Sequence, residues 1–190
     1  MQETKKVVEE AGRKAILIPG DIASEDHVKH IVSETVNAFG RIDILVNNAS
    51  MQGKAVEDFT EIPRDRLEKT FLVNIVGMIS LAQKAVPHMK PGSAIINGAI
   101  VTMTKALATD LISKKGIRVN AVAPGPIWTP IPVASFTEDM VKDFGKGMTP
   151  INRAGQPAEL APSFVFLANN AESSYVNGEI LGVTGGMPLS

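Results

Sequence analysis

The 190-residue sequence contains no cysteine. That excludes disulfides, thiolate nucleophiles, iron–sulfur clusters and cysteine-based zinc sites. Neither sign of charge is in excess: 19 basic residues stand against 20 acidic ones, a net charge of −1. Nucleic acid and anionic membranes select for a basic excess, so neither is an expected partner. Long apolar runs are missing, and none reaches the roughly 18–20 residues of a membrane span. The start, Met1 to Lys6, is polar and lacks the apolar core of a signal peptide. Aromatics are few, with a single tryptophan, Trp128, and a single tyrosine, Tyr175. What is present is ordinary for a folded domain: 44% hydrophobic and 21% charged residues. The length suits one domain. These features predict a soluble, intracellular, cytoplasmic single-domain protein.

Hydrophobic periodicity then orders the chain. Residues 2–13 read as a polar helix stopped by Gly12. Lys14 to Pro19 is a short apolar run between breakers, which predicts a strand buried on both faces. Ser24 is a candidate N-cap for a helix carrying Val28, Ile31, Val32, Val36 and Phe39, with Gly40 ending it. Ile42 to Val46 is a second buried strand. The spacing of Leu67, Phe71, Ile75, Met78, Leu81 and Ala85 predicts a helix from Pro63 to about Met89. Ala94 to Ile96 is a third strand and residues 99–115 a helix. Residues 117–123 form a fourth strand, Gln156-Pro157 opens a helix to about Asn169, and residues 180–183 form a last strand. Strand and helix alternate, and the strands lack inside/outside alternation. The expected fold is α/β, a doubly wound parallel sheet covered on both faces.

In such a sheet ligands bind beyond the carboxyl ends of the strands. Those ends are Asp21, then Asn47-Asn48-Ala49-Ser50, then Asn97-Gly98, then Pro124 to Thr129. Small, polar and glycine residues gather at all four. Turn chemistry alone explains any one of them; four in one register favour a ligand groove.

These residues resemble the short-chain dehydrogenase/reductase family. The resemblance is carried by Asp21-Ile22, Asn47-Asn48-Ala49, Asn74, Arg118-Val119-Asn120 and Pro124-Gly125-Pro126-Ile127-Trp128-Thr129. It extends over essentially the whole chain in the family's order. The Pro-Gly-Pro-Ile-Trp-Thr-Pro stretch and Gly185-Gly186 are most similar to the glucose/ribitol-type branch. The resemblance implies an incomplete Rossmann-like domain that holds NAD or NADP and acts on a small alcohol or carbonyl compound, including sugars or polyols. Asp21 would accept from the adenine amine and Ile22 would pack on the ring. The backbone of Asn48, Ala49 and Ser50 would follow the adenosine ribose, with Ser50 standing where the family has glycine. Pro124 and Gly125 would pass under the nicotinamide, Ile127 and Thr129 would hold its carboxamide, and residues 130–150 would form a substrate lid. Asn74 resembles the family's catalytic asparagine, which helps hold a proton-relay water. Asn47 would tie neighbouring strands. The helices at 64–89 and 99–115 resemble those that make the family's homo-oligomer faces.

Two departures stand against these matches. No Gly-x-x-x-Gly-x-Gly or Gly-x-Gly-x-x-Gly occurs; the family's first β-α-β unit, which carries this phosphate-binding turn, has no counterpart. The family's Ser and Tyr-x-x-x-Lys are also absent, and would fall between Asn97 and Gly98. Tyr175 has Glu179, not lysine, four residues on. A tyrosine starts with a pKa near 10, and a neighbouring lysine lowers it into range; without both, the chain has no evident group for the proton. The remaining strand at 15–19 either pairs directly with 42–46 or hangs from an incomplete sheet with open edges.

Other motifs reduce to simpler readings. His27, His30 and Glu34 share a helix face, best read as solvated rather than as a metal site. Asn48-Ala49-Ser50 matches a glycosylation sequon, read as chance. No zinc-protease, α/β-hydrolase or P-loop motif occurs. Three functions are carried forward: an impaired oxidoreductase chain, a catalytically dead homologue acting as an interaction or oligomer subunit, and a module for the adenosine half of a nucleotide.

Overall fold

The computed structural model describes residues 2–98 and 101–189, apart from residues 52, 55 and 57. Helix α1 (Gln2–Glu10) buries none of its residues. Helix α2 (Glu25–Phe39) is capped as its sequence predicts. The Ser24 hydroxyl accepts from the His27 amide, and Gly40 closes the helix in the left-handed conformation at φ 80°.

Four strands follow: β1 (Ile42–Asn47), β2 (Met89–Gly98), β3 (Arg118–Pro124) and β4 (Ile180–Val183). They form one sheet in the order β1-β2-β3-β4, every pair parallel. Between β1 and β2 lie α3 (Arg64–Phe71), a π-helical turn (Leu72–Gly77) and α4 (Met78–Ala85). Helix α5 (Val101–Lys115) joins β2 to β3. The predicted start of that helix, Ala99 and Ile100, lies outside the described residues. Past β3 come α6 (Pro130–Ser135), α7 (Glu138–Lys142), α8 (Pro157–Ala168) and the short α9 (Asn170–Ser173).

The core has two layers, as a doubly wound sheet requires. Ile95 and Val119 face α4 and α5, packing with Ala82, Ala85, Ala108 and Leu111. On the other side Ile96 and Val122 face α8 at Leu167. Every residue of β3 except Pro124 is buried.

Two expectations are corrected. Residues 14–19 form no strand; their apolar side chains are half-buried, and Lys14 reaches the Ala38 carbonyl and lies over the Phe39 ring. A strand is stabilised by pairing, and this run has no partner in the sheet. Strand β1 is likewise not buried on both faces: Ile44 is 48% and Val46 44% exposed. Their register partners are Ala94 and Ile96, which places both on the α8 face. Helix α8 packs mainly on β2, β3 and β4. The result is an open sheet edge.

The helical stretch Arg64–His88 runs 25 residues and is long and apolar enough, by length and composition, to cross a membrane. Here it packs on β1, β2 and α2 through Val73, Gly77, Met78, Ala82 and Ala85. Leu67, Phe71, Leu72 and Val76 stay exposed.

Arg118, the first residue of β3, is 1% exposed. Its guanidinium donates to the Leu167 carbonyl (3.0 Å), the Ser173 hydroxyl (3.0 Å) and the Asn170 side chain (3.2 Å). The charge therefore sits at the carboxyl end of α8, where helix carbonyls are unpaired and the dipole favours a cation. Burial pulls its pKa down from the usual arginine value. Replacing Arg118 with alanine opens a cavity and removes three buried hydrogen bonds, so Arg118→Ala should cost about 3 kcal/mol in a urea unfolding titration; a loss below about 1 kcal/mol would show the contacts to be incidental.

Candidate functional site

The register of β1 on β2 is pinned from inside the sheet, and β3 runs on past both to Pro124. Asn47 and Asn97 are paired across β1 and β2. The Asn47 amide donates to Asn97 Oδ1 at 3.0 Å, and Asn97 donates to the Thr104 hydroxyl of α5 at 3.2 Å. All three are buried. The structural role read for Asn47 is the one the geometry shows.

Above the carboxyl ends of the strands opens a groove of about 810 Å³. It is lined by Asn48 and Ser50 after β1, by Pro124, Gly125, Ile127 and Thr129 after β3, and by Ile131, Pro132, Phe136 and Phe144 of the segment that follows. Six sequence-predicted residues thus meet in one cavity. Among the described residues only Asn152 combines a side chain with positive φ, so Ser50 replaces a glycine without left-handed strain. Gly125 cannot be replaced so easily: a Cβ there would lie 2.7 Å from the Thr184 carbonyl oxygen.

Asp21, Ile22, Ala49 and Asn74 do not line this groove. Ala49 is exposed. The Asp21 carboxylate accepts from the Ala23 amide at 2.9 Å, a local turn. Ile22 lies against the π turn, where a Cβ on Gly77 would sit 2.7 Å from the Ile22 carbonyl oxygen. The His27 ring fills the space that Gly20 leaves. Among the described residues no group of three or more His, Asp or Glu could hold a metal ion.

Asn74 lies inside the π turn, a distortion frequent at functional sites. Its side chain is half-buried and bonded to the loop that follows β1. Oδ1 accepts from the Met51 amide at 2.7 Å and Nδ2 donates to the Met51 carbonyl at 2.9 Å. Asn74 therefore pins the loop that leaves β1. Tyr175 is fully exposed. Its neighbours Val176 and Gly178 are bonded to Asn120 and Val119, in the first half of β3, whereas the groove lies at the strand's carboxyl end.

The sequence reading missed Arg153 and Glu159. Gly155 pairs with Ile127 as a parallel bridge: the Trp128 amide donates to the Gly155 carbonyl (2.8 Å), and the Gly155 amide donates to the Pro126 carbonyl (2.9 Å). On either side of Gly155, Arg153 donates both terminal nitrogens to Glu159, at 2.8 and 2.7 Å. Glu159 also accepts from the Gln156 amide at 2.9 Å, completing a capping box on α8. The Arg153 guanidinium, with help from the Gln156 amide, pulls the Glu159 pKa from 4.5 down to about 2. A depressed carboxylate stabilises the fold above its unfolded pKa, and that contribution fades as pH falls from about 4.5 toward 2. The available signal was the capping-box spacing from Gln156 to Glu159.

A family model described as "Enoyl-(Acyl carrier protein) reductase" matches residues 1–101 and 97–188, two pieces that meet at the β2–α5 junction. The chain is 45% identical over 206 positions to an NADPH-dependent aldehyde reductase of Arabidopsis thaliana, covering 98% of this chain and 70% of that one. It is 44% identical over 211 positions to a glucose and ribitol dehydrogenase homolog of the same plant, covering 98% of this chain and 71% of that one. An alignment of 206 positions exceeds a chain of 190 residues, so the first relative carries at least 16 residues with no counterpart here. A short-chain dehydrogenase from Burkholderia cenocepacia, solved with NADP, superposes with a TM-score of 0.86 at 26% identity, over 97% of this chain and 81% of that one.

Removing the Asn74 amide breaks both bonds to Met51. Asn74→Ala should release the Met51 amide to hydrogen exchange while β2 and β3 amides stay protected, at a cost of about 1–3 kcal/mol. Unchanged exchange at Met51 would contradict the pinning role.

Proposed function

The chain belongs to the short-chain dehydrogenase/reductase family, in its glucose/ribitol-type branch, and from that premise we propose that it is an NADPH-binding oxidoreductase chain, impaired in proton transfer, whose reaction class interconverts a small alcohol and its carbonyl compound. The observation that carries this reading is the meeting of Asn48, Ser50, Pro124, Gly125, Ile127 and Thr129 in one groove. The residues present fit the nicotinamide side of the cofactor. Gly125 lets the backbone lie flat on Thr184, and Thr129, whose side chain makes no capping bond to α6, keeps its hydroxyl for a ligand. The adenosine side is drawn from Asp21 and Ile22, which sit apart from the groove. NADPH is preferred over NADH because two of the three relatives named above, the aldehyde reductase and the Burkholderia dehydrogenase, carry NADPH or NADP in their descriptions.

When bound, the nicotinamide supplies hydride chemistry. This chain's own residues orient the ring through Ile127 and Thr129 and keep water out with the apolar lid of Ile131, Pro132, Phe136 and Phe144. For the proton we assign no residue: Tyr175 lies at the wrong end of β3, and Asn74 is spent on Met51. The first β-α-β unit of the family and its Ser/Tyr-x-x-x-Lys segment are the missing parts in this reading. The unpaired run at 14–19 and the open edge of β1 support the first, and the split family match at 97–101 supports the second. A cytoplasmic location belongs to the same proposal and rests on the cysteine-free composition.

A second reading, a dead homologue serving as an oligomer subunit, is favoured by one observation. Leu67, Phe71, Leu72 and Val76 form an exposed apolar stripe, with Phe71 60% exposed. The occupant we propose is a second copy meeting the stripe and α5.

Losing one or two bonds to a phosphate weakens binding by about 10–100-fold. Titration with NADPH, followed through Trp128 fluorescence, should therefore saturate with a dissociation constant of about 10⁻⁴ M. Thr129→Val should weaken it about tenfold, and no saturable change up to millimolar NADPH would sink the cofactor reading. Sedimentation should show a dimer or larger species that Phe71→Glu converts to monomer; a wild-type monomer at tens of micromolar would remove the oligomer reading.

A further inference from the structure

The loop that carries Ile127, Trp128 and Thr129 has no helix or strand of its own until α6 begins. Its position is set from behind, by residues 149–159. Gly155 supplies two backbone hydrogen bonds to it, at 2.8 and 2.9 Å. A Cβ on Gly155 would lie 2.7 Å from Ile127 Cδ1, so the two segments are in van der Waals contact as well. Gly155 is held between two ends of one ion pair. Arg153 stands before it and Glu159 after it, joined by a two-pronged guanidinium–carboxylate contact. The Thr149 hydroxyl donates to the Arg153 carbonyl at 3.3 Å, steadying the same turn. Between the loop and this clamp lies a small cavity of about 110 Å³, lined by Gly125, Ile127, Arg153, Gly155, Glu159 and Thr184 among others.

We propose that Arg153 and Glu159 are positioning residues for the nicotinamide: their ion pair fixes Gly155, and Gly155 fixes the depth at which Ile127 and Thr129 stand in the groove. The inference rests on the cofactor reading above. Neither side chain lines the groove, so both act on it through Gly155. Both are about half-exposed, at 54% and 46%. An exposed pair contributes little to global stability. Its worth lies in geometry, because a planar fork on a carboxylate fixes direction as well as distance. Lysine at position 153 keeps the charge but not the fork. Glutamine at position 159 can still accept from the Gln156 amide, so it removes the ion pair while leaving the helix cap.

Trp128 sits inside the bridge and is the chain's only tryptophan. It reports the loop's position with no ligand present. In Arg153→Leu and Glu159→Gln, Trp128 emission should shift to the red and become more accessible to acrylamide, with native circular dichroism retained. Arg153→Lys should fall between wild type and Arg153→Leu. With ligand, the variants should bind NADPH about tenfold more weakly, while their affinity for 2′-phospho-ADP-ribose, which lacks the nicotinamide, stays at the wild-type value. Unchanged Trp128 emission and quenching in folded variants overturns the proposal. So does loss of fold in both Arg153→Leu and Glu159→Gln, since the pair would then be a general structural brace, and so does equal weakening toward NADPH and the fragment. If Trp128 moves as expected but wild type binds no NADPH, the cofactor reading fails while the clamp on the loop stands.

Discussion

Asn47 and Asn97 lie opposite each other in the β1–β2 register, both buried, with their amides joined at 3.0 Å and the second amide continuing to Thr104 of α5 at 3.2 Å. Buried amides are costly unless paired. A slip of one residue would put the two side chains on opposite faces of the sheet and leave both amides unpaired. This ladder therefore fixes the register of β1 on β2 and ties α5 to the sheet at Thr104. The groove follows from that register. Asn47 is level with Ala121 through Asn97, so Asn48 and Ser50, just past the end of β1, stand alongside the last residues of β3 and share one cavity with Pro124 to Thr129.

The chemistry the groove supports is unequal in its two halves. Hydride transfer between an alcohol and a carbonyl compound needs the ring held at a set face, and the loop from Pro124 to Thr129, braced by Gly155, is suited to that. It also needs a proton at the oxygen. General acid–base help is worth about 10²–10⁴-fold, and it requires a group of suitable pKa within hydrogen-bond reach. The sole tyrosine is at the far end of β3, fully exposed. Asn74 has both polar atoms engaged by Met51. In the proposed reading the chain is thus equipped to hold and orient but not to protonate.

Much of this was legible before any coordinates. Alternating strand and helix, the cap at Ser24, the strand ends and their small residues follow from local periodicity and turn chemistry, which the sequence carries directly. The failures have a common cause. Residues 14–19 have the composition of a buried strand, but a strand exists only with a neighbour, and pairing is not a local property. Ile44 and Val46 looked buried for the same reason, since their cover depends on where α8 packs. The π turn at Asn74 arises where Gly77 meets the Ile22 backbone, a contact between residues 55 positions apart. Arg153 was passed over because an arginine in a loop between helices carries no periodic signal. Only its partner Glu159, three residues past Gln156, marked the place.

The central claim is that the chain supplies orientation without a proton donor. The most direct measurement is the steady-state rate of aldehyde reduction by the purified 190-residue chain at saturating NADPH, taken across a series of imidazole buffer concentrations at fixed pH and ionic strength. The account predicts a rate about 10²–10⁴-fold below that of an ordinary enzyme of this class, rising in proportion to the buffer acid because solution must provide the proton. A turnover near the common range of about 1–10³ s⁻¹, independent of buffer concentration, would show that a group within the chain does the work and would contradict the account.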